Sequence, residues 1–196
     1  MATTSPKTTR QRIPAAERRE ALIAAAVHEF AQSGYHGTPV DRIARSVGVA
    51  QPYVFSLFGS KRELFIAAVH RCFETVTQLL TATAATYDPA TAPEDWTILP
   101  WMGGAYVEKV KTDRDLFMLQ LQAFAACDDE VIRAAVRADY AQLIRHVERL
   151  APDADQEALD NFCRYGAWIN INAAMGIEDV TYGCEWVRDE PEPAEA

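Results

Sequence analysis

Gln51, Tyr53 and Ser56 fall on the outward side of a short helix whose other positions are largely apolar. An amide, a phenol and a hydroxyl in that pattern suit hydrogen bonding rather than covalent chemistry. On a short helix that enters the DNA major groove, roughly 12 Å wide, such side chains meet base edges. Catalytic groupings are missing from the sequence. The histidines His28, His36, His70 and His146 form no H-E-x-x-H pair, and there is neither a glycine-rich phosphate loop nor a G-x-S-x-G turn. The cysteines Cys72, Cys127, Cys163 and Cys184 lie tens of residues apart, a spacing that suggests neither a metal site nor a disulfide framework. The expectation is a protein that is not an enzyme and needs no cofactor.

The outward trio needs a frame, and the flanking sequence supplies one. Leu22, Ile23, Ala26, Val27, Phe30 and Ala31 form one helical stripe, which predicts a helix over 14–33 that starts at Pro14 and stops at Gly34. Thr38-Pro39-Val40-Asp41 predicts a second start, with Thr38 as cap and Asp41 reaching back to it. The resulting short helix, about 39–46, turns Val40, Ile43 and Ala44 inward. Gly48-Val49 interrupts it, and a third helix fits Ala50 to Leu57, with Pro52 in the first turn where it costs no hydrogen bond. Two short helices joined by a glycine-containing turn and backed by a third make a helix-turn-helix. Ser60-Lys61-Arg62-Glu63 reads as a capping box opening a long helix to about Ala85. A proline-containing loop over 87–95 is followed by helices at about 97–111, 113–126, 129–150 and 154–175. Asp113, Asp128 and Asp153 stand near three of their starts. A further short helix is expected near 178–186. No strand-like alternation of length appears, so the expected fold class is all-α.

The chain has 196 residues, 49% of them hydrophobic, enough for a sizeable core. No run of eighteen apolar residues and no apolar leader stretch appear, so a cytoplasmic protein without a membrane partner is expected. The net charge of -9 is unevenly spread. Residues 1–62 carry nine positive and four negative charges, a net of +5, which leaves -14 for residues 63–196. That asymmetry suggests a basic, nucleic-acid-facing head on an acidic body that DNA repels. The expected organisation is a disordered basic arm over 1–13, a helix-turn-helix domain over 14–59, a helical ligand-binding and dimerisation domain over 60–187, and a disordered acidic tail over 188–196.

Across residues 18–65 the sequence resembles the TetR-type regulators. The resemblance is carried by Ile23, Ala25-Ala26, Phe30, Gly34-Tyr35, Thr38, Val40, Ile43-Ala44, Gly48-Val49, Phe55, Phe58, Ser60-Lys61 and Leu64. It implies an N-terminal three-helix DNA reader followed by a helical body that binds a ligand and dimerises through its last two long helices. By position, it implies Gln51 as base reader, Pro52 and Tyr53 against thymine methyls or sugar, and Ser56, Thr38 and Lys61 against phosphate. Ala50 stands where a capping Ser or Thr is usual, which weakens the start of the third helix by roughly 1 kcal/mol. Phe55 replaces a usual Tyr, and Leu57 a usual aromatic or His. The implied function is a homodimeric repressor released from a palindromic double-stranded DNA operator by an unidentified small, apolar or aromatic effector.

For the body, the aromatic residues Trp101, Phe117 and Phe124 are the expected ligand contacts, with Gln120 and Asn172 as polar residues able to orient a ligand. Leu143, Val147, Phe162 and Ile169 are the expected dimer contacts on the two C-terminal long helices. A different class of function, a helical interaction protein acting through its acidic body, remains the alternative.

Overall fold

The computed structural model describes residues 14–177. Eight helices account for most of that span: α1 Ala15–Gly37, α2 Val40–Ser46, α3 Gln51–Phe58, α4 Lys61–Ala84, α5 Ile98–Val110, α6 Arg114–Ala125, α7 Glu130–Leu150 and α8 Gln156–Met175. No strand occurs among the described residues. The expected basic arm, the helix near 178–186 and the acidic tail lie outside them.

α1 is broken where the sequence marks a stop. Gly34 has φ 67° and ψ 179°, a conformation open essentially to glycine alone, and the chain makes one further turn before Thr38. The interruption leaves the Gly34 carbonyl for the Thr38 hydroxyl, which donates to it at 2.8 Å and to the Glu29 carbonyl at 3.1 Å. Thr38 is therefore fully buried and turned back onto α1; it does not cap α2, which begins after Pro39 without a side-chain cap. Asp41 pairs instead with Arg45 at 3.0 Å.

α2 ends as its sequence directs. Gly48 takes φ 73°, its N–H donates to the Arg45 carbonyl at 3.0 Å, and the Val49 N–H donates to the Ala44 carbonyl at 2.9 Å. This pair of bonds is a Schellman closure, which sets the angle between α2 and α3. Ser60 caps α4 by accepting from the Glu63 N–H at 3.1 Å, one half of the expected box. In the body the caps are Asp129 for α7 and Asp155 for α8, each accepting backbone N–H bonds. Each lies one or two residues past the expected Asp128 and Asp153, and Asp113 pairs with Lys109 at 3.0 Å rather than capping α6.

One core runs from the head into the body. Phe30 and Phe65 meet edge-on at 4.9 Å where α1 crosses α4. α6 lies with one side along α1 and another towards α8, while α4 packs on α5 and α7. α7 and α8 touch sparsely, so a space opens between them.

Candidate nucleic-acid interface and ligand cavity

α3 presents three kinds of side chain. Val54 and Phe58 are buried against the head, Pro52, Phe55 and Ser56 are exposed, and Gln51, Tyr53 and Leu57 are half-buried. Gln51, Pro52 and Ser56 thus share one short helix with an open side, as expected. Tyr53 is less free than its position suggests, because the Arg18 guanidinium of α1 lies over its ring at 5.8 Å. The Ser56 hydroxyl donates to the Tyr53 carbonyl at 2.7 Å. Phe55, 38% exposed, puts a large apolar ring on the same helix.

Lys61 is half-buried. Its ammonium donates to the His36 carbonyl at 3.2 Å and lies 5.2 Å from the Tyr35 ring centroid, and burial lowers its pKa. It satisfies the last turn of α1, where the helix dipole favours a cation. Thr38, being buried, does not offer its side chain to a phosphate in this conformation, while half-buried Lys61 has one of its three donors on the His36 carbonyl. The cationic groups that lie against α3 are Arg18 and Arg19, the latter 5.1 Å from the Phe58 ring. Sequence reasoning counted these two without giving them a role, because their place beside α3 depends on the α1–α3 packing.

In the body, a cavity of about 470 Å³ lies among α4 to α8. Its wall includes Val76 and Leu80 of α4, Tyr106 of α5, Gln120 and Phe124 of α6, Tyr140 and Leu143 of α7, and Phe162 and Ile169 of α8. Phe124, 37% exposed, is a ligand candidate that belongs to it. The other two do not. Phe117 is fully buried against Tyr106, at 4.8 Å. Trp101 closes the α4–α5 loop, donating from Nε1 to the Thr83 carbonyl at 3.2 Å beside Tyr87 and Trp96.

The expected dimer contacts also sit elsewhere. Leu143, Val147, Phe162 and Ile169 all line the cavity, and Leu143, Val147 and Ile169 are buried within the single chain. Leu143, Val147 and Ile169 face inward because this monomer has a hollow to enclose, whereas Phe162 is half-buried and keeps some exposed surface.

Three polar side chains are buried in the cavity wall as a closed ring. Gln120 Nε2 donates to Tyr106 Oη at 2.8 Å, Tyr106 Oη donates to Asn170 Oδ1 at 2.9 Å, and Asn170 Nδ2 donates to Gln120 Oε1 at 3.3 Å. Burial pushes the Tyr106 hydroxyl pKa up, so it remains a donor. Gln120 was legible as a polar residue on an apolar stretch, whereas Asn170 was not. Asn172, the other polar candidate, donates to the Trp168 carbonyl at 2.9 Å and is outside the lining.

Head and body are joined by a second set of polar contacts. Asp115, in the first turn of α6, accepts from His28 Nδ1 at 2.6 Å and from Gln32 Nε2 at 2.9 Å, both on α1. The hydrogen bond to Asp115 raises the His28 pKa, against a smaller opposing effect of burial. Arg62, at the start of α4, donates to Asp129 at 3.2 Å, and His70 and Asp139 link α4 to α7 at 2.5 Å.

Residues 22–68, covering most of α1, all of α2 and α3 and the start of α4, match the model of bacterial regulatory proteins of the tetR family. Over those residues the chain has the N-terminal domain of the tetR family. Its curated relatives include the HTH-type transcriptional activator FasR of Mycolicibacterium smegmatis, 42% identical over 60 residues that make up 31% of this chain and 27% of FasR. The HTH-type transcriptional regulator RutR of Escherichia coli is 31% identical over 91 residues, 46% of this chain and 43% of RutR. The match thus spans less than half the length of either TetR-family relative. A TetR-like transcriptional regulator from Rhodococcus sp. RHA1 has the same fold at TM-score 0.63 and 24% identity, over 85% of this chain and 88% of that one. Among the described residues no helix is long and apolar enough to cross a membrane.

Proposed function

We propose that this protein is a DNA-binding transcription regulator that acts as a homodimer and is controlled by a small ligand in the α4–α8 cavity. The observation that carries the reading is the presentation of α3, with Gln51, Pro52, Phe55 and Ser56, beside Arg18 and Arg19 in a chain whose residues 1–62 carry a net +5. Gln51 is the base reader, Pro52, Tyr53 and Phe55 contribute apolar contacts to thymine methyls or sugar, and Ser56 and the Arg18–Arg19 pair approach phosphate. Thr38 fixes the turn between α1 and α2. FasR is named as an activator, so the sign of regulation depends on where the operator lies relative to the promoter. The release of DNA on ligand binding, giving repression in the absence of ligand, is the reading for this chain.

A ligand changes DNA affinity only by preferring one arrangement of the heads over another. α4 joins head and body covalently, but α6 couples them more closely. Its Gln120 and Phe124 line the cavity, and its Asp115 holds α1. A shift of α6 on ligand binding therefore moves α1 directly.

The dimer is formed through the outer faces of α7 and α8, where Val131, Ile171 and Met175 are each more than 40% exposed. A total buried interface above roughly 1,200 Å² is expected. Titration of the full chain onto labelled duplex DNA at rising salt tests the function. Each phosphate contact adds about -0.9 to the slope of log K against log salt. A steep slope is expected, and an absence of DNA binding would favour action through the acidic body instead.

A further inference from the structure

We infer that the cavity takes a monocarboxylic acid with a long apolar body, its carboxylate held between Arg137 and Tyr140. The inference rests on the reading of this cavity as the effector site. Most of the wall is apolar, and its buried polar ring of Tyr106, Gln120 and Asn170 is closed on itself, so it offers a ligand little. Arg137 is the one charged residue among the described residues of the lining. It stands exposed at the mouth with no hydrogen bond or ion pair among the described residues. Of the other α7 arginines, Arg133 binds Glu130 and the Cys127 carbonyl, Arg149 binds His146, and Arg145 lies outside the lining.

Tyr140 lies three residues on, which places it on the same side of α7 as Arg137. Its ring is held edge-on by Phe73 and Phe124, each at 6.2 Å, and its half-buried hydroxyl makes no hydrogen bond among the described residues. A guanidinium and an unpartnered phenol on one face supply several donors to a planar carboxylate. Burial raises the Tyr140 pKa, which keeps that donor protonated.

The rest of the cavity sets the ligand's direction. The lining's charge lies at Arg137, so the carboxylate sits at that end and the apolar body extends past Leu143 towards Leu80 and Val147. One guanidinium balances one charge, which favours a carboxylate over a doubly charged phosphate ester.

Calorimetric titration of the full chain with decanoate and with decan-1-ol tests the inference. Decanoate should bind roughly five- to tenfold more tightly, a modest ratio because the guanidinium is exposed and screened. Arg137→Gln should remove the preference and leave decan-1-ol affinity unchanged, and Tyr140→Phe should reduce it roughly threefold. Sedimentation of both variants should match the wild type, which separates ligand binding from any effect on assembly. Equal affinity for the two probes, a preference that survives Arg137→Gln, or an effect of that variant confined to oligomeric state would overturn the carboxylate inference alone. Failure of both probes to bind would overturn the effector site with it.

Discussion

Tyr106 donates to Asn170 and accepts from Gln120 inside a wall that water does not reach. Tyr106→Phe removes the hydroxyl and leaves both partners short of a bond, which should cost about 1–3 kcal/mol of stability. Urea unfolding should show a lower midpoint with an unchanged slope. An unaltered midpoint would mean the ring contributes nothing to the fold. On α3, Gln51→Ala should relax preference at one base pair by about 1–3 kcal/mol of discrimination while nonspecific affinity holds. Binding measured across single-base variants of a selected site checks this, and a uniform loss would remove Gln51 from the base-reading set. At this scale the sequence is an uneven guide. Gln51 is half-buried at the start of α3, and Phe124 lines the cavity. Thr38 is not, because the pattern T-P-x-D reads locally as a cap while the hydroxyl is claimed by a carbonyl freed four residues earlier at Gly34. Lys61 likewise looks solvent-facing until α1 and α4 are packed and the end of α1 takes its ammonium.

The helices themselves were more legible than their partners. Each of the eight lies within a few residues of its expected bounds, since apolar spacing and glycine stops are local signals. Which apolar stripe faces a core, a cavity or another subunit is not local. Leu143, Val147 and Ile169 carry the right periodicity for an interface, yet the chain uses them to wall its own cavity. Trp101 and Phe117 show the same limit: aromatic type does not say which space a ring fills. The break in α1 gives one element-scale test. Gly34→Ala should lower stability by about 1–3 kcal/mol, since φ 67° with ψ 179° is all but closed to other residues, while the added Cβ would only push aside the flexible end of Gln122. The α1–α6 joint gives another. The His28 pKa is raised in the fold, so its contribution is complete below the unfolded value, near 6.5, and is lost as pH rises through the raised one. Hydrogen exchange in α1, corrected for the intrinsic pH effect, should therefore increase as pH rises above about 6.5. That increase should be absent in Asp115→Asn; if it persists there, His28 is not the titrating latch.

At the scale of the molecule, charge and symmetry decide what the parts can do together. A net +5 over residues 1–62 against -14 over residues 63–196 directs DNA to the N-terminal end, and the acidic remainder disfavours any other docking. A single helix-turn-helix reads few base pairs, so two heads must engage one face of the duplex, about 34–36 Å or a multiple apart. Double substitution of Ile171 and Met175 by Glu should give a folded monomer with much weaker DNA binding, because both side chains are exposed in the single chain. Sedimentation beside circular dichroism checks it, and a variant that remains dimeric would move the interface elsewhere. The most direct test of a ligand-controlled dimeric DNA reader is selection of bound duplexes from random sequence by the full-length chain. The account expects an enriched inverted repeat whose half-site centres lie one or more whole helical turns apart. Enrichment of no motif, or of a lone half-site, would contradict it.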